Sequence, residues 1–168
     1  MIRDVLTIGD DQLLQISLEV DVKEFNSQEL FNIIADMRDT MHKEGGVGIA
    51  AVQIGYHKRI TIIEFDGSNP RYSEIGDCPL TVIINPKIEA VGEEMIGYTE
   101  GCLSVPNLRG QVVRPKHIKY SYYNQYGELI QGENDGFFAR VMQHEIDHMD
   151  GILFPSRVTD ESTLTTTV

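Results

Sequence analysis

Gly136-Phe137-Phe138-Ala139-Arg140-Val141-Met142-Gln143-His144-Glu145-Ile146-Asp147-His148-Met149-Asp150 reads as one helix, stopped by Gly151. It decides how the rest of the chain is read. At about 100° per residue, His144 and His148 lie roughly 40° apart and one turn along the axis. H-E-x-x-H spacing of this kind lets two imidazoles converge on one metal ion. Glu145 falls about 60° beyond His148, near enough to reach a water on that ion but badly placed to chelate it. With His144 at zero, Phe137, Phe138, Val141, Met142, Met149 and Ile152 fill an apolar arc from roughly 20° to 160°. Arg140, Gln143, Asp147 and Asp150 occupy the opposite arc, which is expected to face solvent. Glu145 sits at about 100°, in the middle of the apolar side. Burying a carboxylate there is costly without a partner, and a water activated by a metal supplies one. A metal site is therefore favoured over a structural hydrogen-bond cluster.

A hydrolytic metal site normally has three protein ligands and one open position. No histidine follows His148, so the third ligand lies elsewhere. Asp160 and Glu161 stand downstream, where an H-E-x-x-H endopeptidase would find a carboxylate. Cys102 stands upstream in Glu100-Gly101-Cys102-Leu103-Ser104, after a glycine that lets backbone approach closely. Cys78, beside Pro79, reads as incidental. A closed Cys₂His₂ site that included it would leave Glu145 unexplained. His42, His57 and His117 have no ligand spacing and read as surface or packing residues.

Outward from this helix, an earlier one is expected over residues 27–44. Asn26 is its cap, Glu29 the capping-box partner, and Gly45-Gly46 its stop. Leu30, Ile33, Ile34, Met37 and Met41 recur at helical spacing. Arg59–Phe65 and Thr81–Ile84 are rich in β-branched residues and read as strands. Pro86–Met95, His117–Tyr123 and Glu128–Gln131 are weaker strands, the last two joined by a turn at Asn124–Gly127. Helix, strands, then helix implies α+β, with mostly antiparallel β-sheets packed around a central C-terminal helix that carries H-E-x-x-H. Gly46-Val47-Gly48-Ile49-Ala50-Ala51 fits a dinucleotide-binding turn, and Asp66 follows at a suitable distance. The motif follows a helix rather than a strand, however, and leaves no room for a crossover helix. A glycine-poised strand edge that admits a substrate backbone explains it better.

The 168 residues suit one domain, and a chain of that length buries a real core without disulfides. Fourteen basic against 26 acidic side chains give a net charge of −12, which repels phosphate backbones and argues against DNA binding. No apolar run is long enough for a bilayer, and no secretory signal opens the sequence. Two cysteines suit a reducing compartment, so a cytoplasmic location is expected.

Gly46-Val47-Gly48-Ile49-Ala50-Ala51-Val52-Gln53, Glu100-Gly101-Cys102-Leu103-Ser104 and Gln143-His144-Glu145-Ile146-Asp147-His148, in this order, resemble the three signature motifs of the peptide deformylases. That family removes the N-formyl group from the formylmethionine of newly synthesised polypeptides and releases formate. The resemblance spans nearly the whole chain, through Gly151-Ile152-Leu153-Phe154. It implies that Cys102, His144 and His148 are the metal ligands and Glu145 the catalytic acid/base. Gln53 and the Leu103 backbone amide match the oxyanion-stabilising positions. Val47, Gly48 and Gly101 match positions along which the substrate lies as an added strand, and Arg109 matches an arginine on the substrate backbone. Phe137 and Val141, with His144, match the lining of the methionine pocket. Arg140 stands where some relatives carry an apolar pocket residue, so its side chain either points outward or narrows the pocket. The resemblance implies one divalent ion, Fe²⁺ in physiology, replaceable by Zn²⁺, Ni²⁺ or Co²⁺, and N-formylmethionyl nascent chains as partners. Some deformylases dock on the ribosome with a long basic C-terminal helix. No such helix follows Phe154 here, which leaves transient ribosome contact open.

Overall fold

The computed structural model describes residues 1–68 and 75–166. Among the described residues, two α-helices, α1 (Gln28–Glu44) and α2 (Phe137–Met149), accompany eight strands. The strands are β1 (Gly48–Ala50), β2 (Ile60–Phe65), β3 (Cys78–Ala90), β4 (Met95–Cys102), β5 (Val105–Pro115), β6 (Ile118–Tyr123), β7 (Leu129–Asn134) and β8 (Thr165–Thr166). They form a five-stranded sheet in the order β1-β2-β3-β6-β7 and a three-stranded sheet in the order β4-β5-β8. Every pairing between these strands is antiparallel. The fold is α+β with the H-E-x-x-H helix at its centre, as expected.

The larger sheet is covered on both faces, which is why β2 and the middle of β3 read as unbroken apolar runs rather than alternating ones. Ile60, Ile62, Val82 and Ile84 point towards α1 and pack with Leu30, Ile34, Met37 and Met41. Ile63, Phe65 and Ile83 point the other way and meet Val141, Met142, Ile146 and Met149 of α2. Each of these buried isoleucines contributes about 1.5–3 kcal/mol by leaving water. That term outweighs local propensity and holds α2 against the sheet.

Local chemistry sets the ends of the helices. Ser27, not Asn26, caps α1 by accepting the Leu30 N–H at 3.2 Å. Asn26 instead takes a left-handed conformation at φ 59°, which its short polar side chain tolerates. Asn134, at the end of β7, caps α2 by accepting the amides of Gly136 and Ala139. Gly151 ends α2 at φ 74°, where a Cβ would stand 2.4 Å from the Leu14 carbonyl oxygen.

Two strand expectations change. Thr81–Ile84 and the following segment form one strand, β3, whose register shifts between Ile84 and Lys87. Asn85, at φ 50°, supplies the bulge that lets Pro86 sit in a strand. The expected Pro86–Met95 strand therefore breaks after Ala90, where Gly92 turns at φ 74°. The β4–β5 hairpin was not foreseen, because its exposed half lacks a β-branched run. Gly46–Ala51 forms the short strand β1 and then a 3₁₀ turn over Ala51–Ile54, with no crossover helix. No described helix is long and apolar enough to cross a membrane.

Candidate metal centre

β4 ends, and α2 passes, at the same point in space. Cys102 Sγ lies 3.3 Å from His148 Nε2. One ligand atom from each of Cys102, His144 and His148 falls within 4.8 Å of the others, and among the described residues this is the one such group. Asp160 is not in it: it caps Ser162 at the surface. Glu161 and Cys78 are not in it either. His42 and His117 pair with surface glutamates, and His57 with Gln12.

The second nitrogen of each histidine is placed differently. His144 Nδ1 meets Glu100 Oε1 at 2.7 Å, which orients the ring and leaves Nε2 to face the cluster. Burial, and then the charge on His144, hold His148 well below its ordinary pKa. A neutral imidazole is the form that binds a metal. Burial works to raise the Glu100 carboxyl, but hydrogen bonds and charge from His144 and Arg114 outweigh it and keep Glu100 ionised.

Glu145 is buried, and its Oε2 has no hydrogen-bond partner. Burial pushes its pKa up to about 7, with Glu100 and Asp147 adding to the effect and His144 and Arg114 opposing it. Three converging nitrogen and sulfur donors beside an unpartnered buried carboxylate fit a divalent ion with a water to activate.

The other expected site residues gather around one cleft of about 540 Å³. Val47, Gly48, Gly101, Leu103, Arg109, Phe137 and Val141 all line it. Gln53 is buried beside the sulfur. Its Oε1 accepts the Ala50 N–H, and its Nε2 donates to Ser104 Oγ at 3.0 Å and lies 3.7 Å from Cys102 Sγ. The free edges of β1 and β4 both border the cleft, so an extended peptide has unpaired backbone to meet.

Two expectations change here. A Cβ on Gly48 would stand 2.8 Å from Val141 Cγ1 and 3.0 Å from Glu145 Oε1. That glycine is needed here for the close approach of α2. Gly48→Ala is expected to lower kcat at least tenfold by displacing Glu145, and to destabilise the fold by about 1–3 kcal/mol as overpacking does. Activity and a thermal midpoint both equal to the parent's would contradict this. The second change concerns the helix arc assigned to solvent. Arg140, Gln143 and Asp147 are 7%, 6% and 7% exposed, packed against the β4–β5 hairpin. Arg140 turns inward and also lines the cleft.

An α+β fold built around an H-E-x-x-H helix, with a cysteine brought to its two histidines beside open strand edges, defines a class: metal-dependent hydrolases that act on extended peptides. Comparison with known proteins narrows it. The pattern of the family described as polypeptide deformylase matches residues 2–163. Peptide deformylase 2 of Ralstonia nicotianae is 46% identical over 160 residues, covering 95% of this chain and 89% of the relative. Peptide deformylase 2 of Pseudomonas syringae pv. tomato is 46% identical over 162 residues, covering 96% and 90%. The crystal structure of a class I type b peptide deformylase from Acinetobacter baumannii, with Met-Ala-Ser bound, superposes with a TM-score of 0.90 at 40% identity, covering 94% of this chain and 99% of that one. This chain belongs to the polypeptide deformylase family. It is a hydrolase of that metalloenzyme family.

Proposed function

We propose that this protein hydrolyses the N-terminal formamide of formylmethionyl polypeptides as they are made, releasing formate and a free amine. The observation that carries the reading is the convergence of Cys102, His144 and His148 within 4.8 Å of one another, beside Glu145, in a cleft bordered by two free strand edges. Cys102, His144 and His148 are the residues that would hold one divalent ion. When bound, that ion supplies Lewis acidity that makes water nucleophilic near neutral pH. Membership of the family implies that this ion is Fe²⁺, replaceable by Zn²⁺, Ni²⁺ or Co²⁺.

The chain's own residues do the remaining work. Glu145 takes the proton of the attacking water and passes it to the departing amine, a role suited to a carboxylate tuned near neutrality. The Gln53 amide and the Leu103 N–H receive the oxyanion, and preorganised donors of this kind contribute roughly 3 kcal/mol each to the transition state. Val47, Gly48 and Gly101 hold the substrate backbone as an added strand, with Arg109 beside it. Phe137 and Val141 line the pocket for the methionine side chain. Residues 1–168 are read as one catalytic domain, cytoplasmic, whose partners are nascent chains, with any ribosome contact transient.

Anaerobic formate release from a formyl-methionyl tripeptide, by protein freshly loaded with Fe²⁺ or Ni²⁺, tests the reading. Release that a chelator abolishes is the expected result. Metal-loaded protein that releases no formate overturns it.

A further inference from the structure

A buried ionic cluster lies between α2 and the β4–β5 hairpin, behind the metal-ligand group. At its centre the Glu100 carboxylate accepts four hydrogen bonds. Oε1 receives His144 Nδ1 at 2.7 Å and Arg114 Nη2 at 3.0 Å. Oε2 receives Arg114 Nε at 2.7 Å and Arg140 Nη1 at 2.7 Å. Arg114 reaches on to Asp147 Oδ2 at 2.9 Å, and Asp147 is held again by Arg157.

Arg140 differs from the other cations in what it connects. From α2 it donates through Nη1 to the Val112 carbonyl of β5 at 2.9 Å, and through Nη2 to the Ile96 carbonyl of β4 at 2.7 Å. Its guanidinium carbon lies 5.6 Å from the centre of the Tyr98 ring. One side chain of the helix thus grips both strands of the hairpin and the carboxylate that orients His144.

That grip matters because of how the ligands are distributed. Cys102 ends β4, whereas His144 and His148 ride on α2. β4 pairs with β5, and β5 with β8, but neither pairs with a strand of the sheet against which α2 packs. Among the described residues, no backbone ladder joins the strand that carries the sulfur to α2 or its sheet, so side chains across the interface carry much of that spacing. A planar guanidinium spreads its donors over a rigid fork, so two nitrogens reach acceptors on two strands and a carboxylate, whereas an ammonium gathers its three donors on one atom.

We propose that Arg140 is a positioning residue for the metal site, seating the β4–β5 hairpin on α2 so that Cys102 Sγ stands in register with the histidine pair and Glu100 stays on His144. This rests on the reading of Cys102, His144 and His148 as ligands.

The test loads the full-length chain with Co²⁺ under anaerobic conditions. It measures affinity by chelator competition and records the thiolate-to-cobalt absorption band. Arg140→Met keeps the length of the side chain but removes its donors. It is expected to weaken Co²⁺ binding about 10-fold, the low end of the cost of losing a residue bonded directly to a ligand, because Arg140 acts through Glu100 and the hairpin, and to shift the band. Arg140→Lys is expected to fall between Met and the parent. Affinity within about threefold of the parent in Arg140→Met overturns the proposal even if the thermal midpoint drops, because packing alone would do that. If Arg140→Met does not fold, Arg140→Lys decides by the same criterion. Cys102→Ser separates the two readings. If it binds Co²⁺ as the parent does, the ligand assignment fails and takes this proposal with it. If it loses the ion while the Arg140 variants keep theirs, the positioning role alone fails.

Discussion

Glu145→Gln is expected to retain its metal and lose turnover by two to four orders of magnitude, the usual contribution of a positioned acid or base. The amide has nearly the shape of the carboxylate, so the packing of Glu145 against Gly48 survives. What disappears is a group that can take a proton and give it back. The pKa of about 7, set chiefly by burial, suits both halves of that exchange at neutral pH. Metal content by elemental analysis, paired with single-turnover formate release, separates the proton role from a binding role. Near-parental turnover in a metal-replete variant would falsify the assignment of Glu145.

Cys102→Ser should affect the earlier step. A serine hydroxyl stays protonated near neutral pH, so the variant offers no anionic sulfur and leaves the two imidazoles as an incomplete set. Metal retained after dialysis against a weak chelator is expected to fall by at least tenfold, and activity with it. The fold should persist, because Cys102 is only half-buried at the end of β4 and the hydrophobic clusters beside the five-stranded sheet do not include it. Parental metal retention would show that another side chain completes the site. The structure leaves the carboxylates first considered, Asp160 and Glu161, outside the group.

Much of the site was legible because helix periodicity is a strong constraint. One angle per residue placed His144, Glu145 and His148 relative to one another, and the buried carboxylate followed from the apolar residues around it. The same wheel failed on its other side. A polar arc normally faces water, but here Arg140, Gln143 and Asp147 meet a complementary set of charges and carbonyls on the hairpin. Nothing in α2 alone announces that partner. The role of Glu100 was missed for a similar reason. In the sequence Glu100 stands only as a flank of Cys102, although a carboxylate two residues from a candidate ligand is a signal for a residue that orients a histidine.

By itself, the sequence determined the two helices and the identity of the three motifs, since each depends on residues close together along the chain. Antiparallel sheets followed only from the order of elements, because β3–β6 and β5–β8 pair residues far apart in sequence. The resemblance could assign the cysteine to the histidines, but spacing could not. Residues 102 and 144 are far apart in sequence, and their meeting depends on how a hairpin outside the main sheet seats on a helix. That seating was decided only by tertiary structure. Buried charges are stable only where every partner is in place, and the partners of Glu100 and Arg140 come from β4, β5 and α2 together.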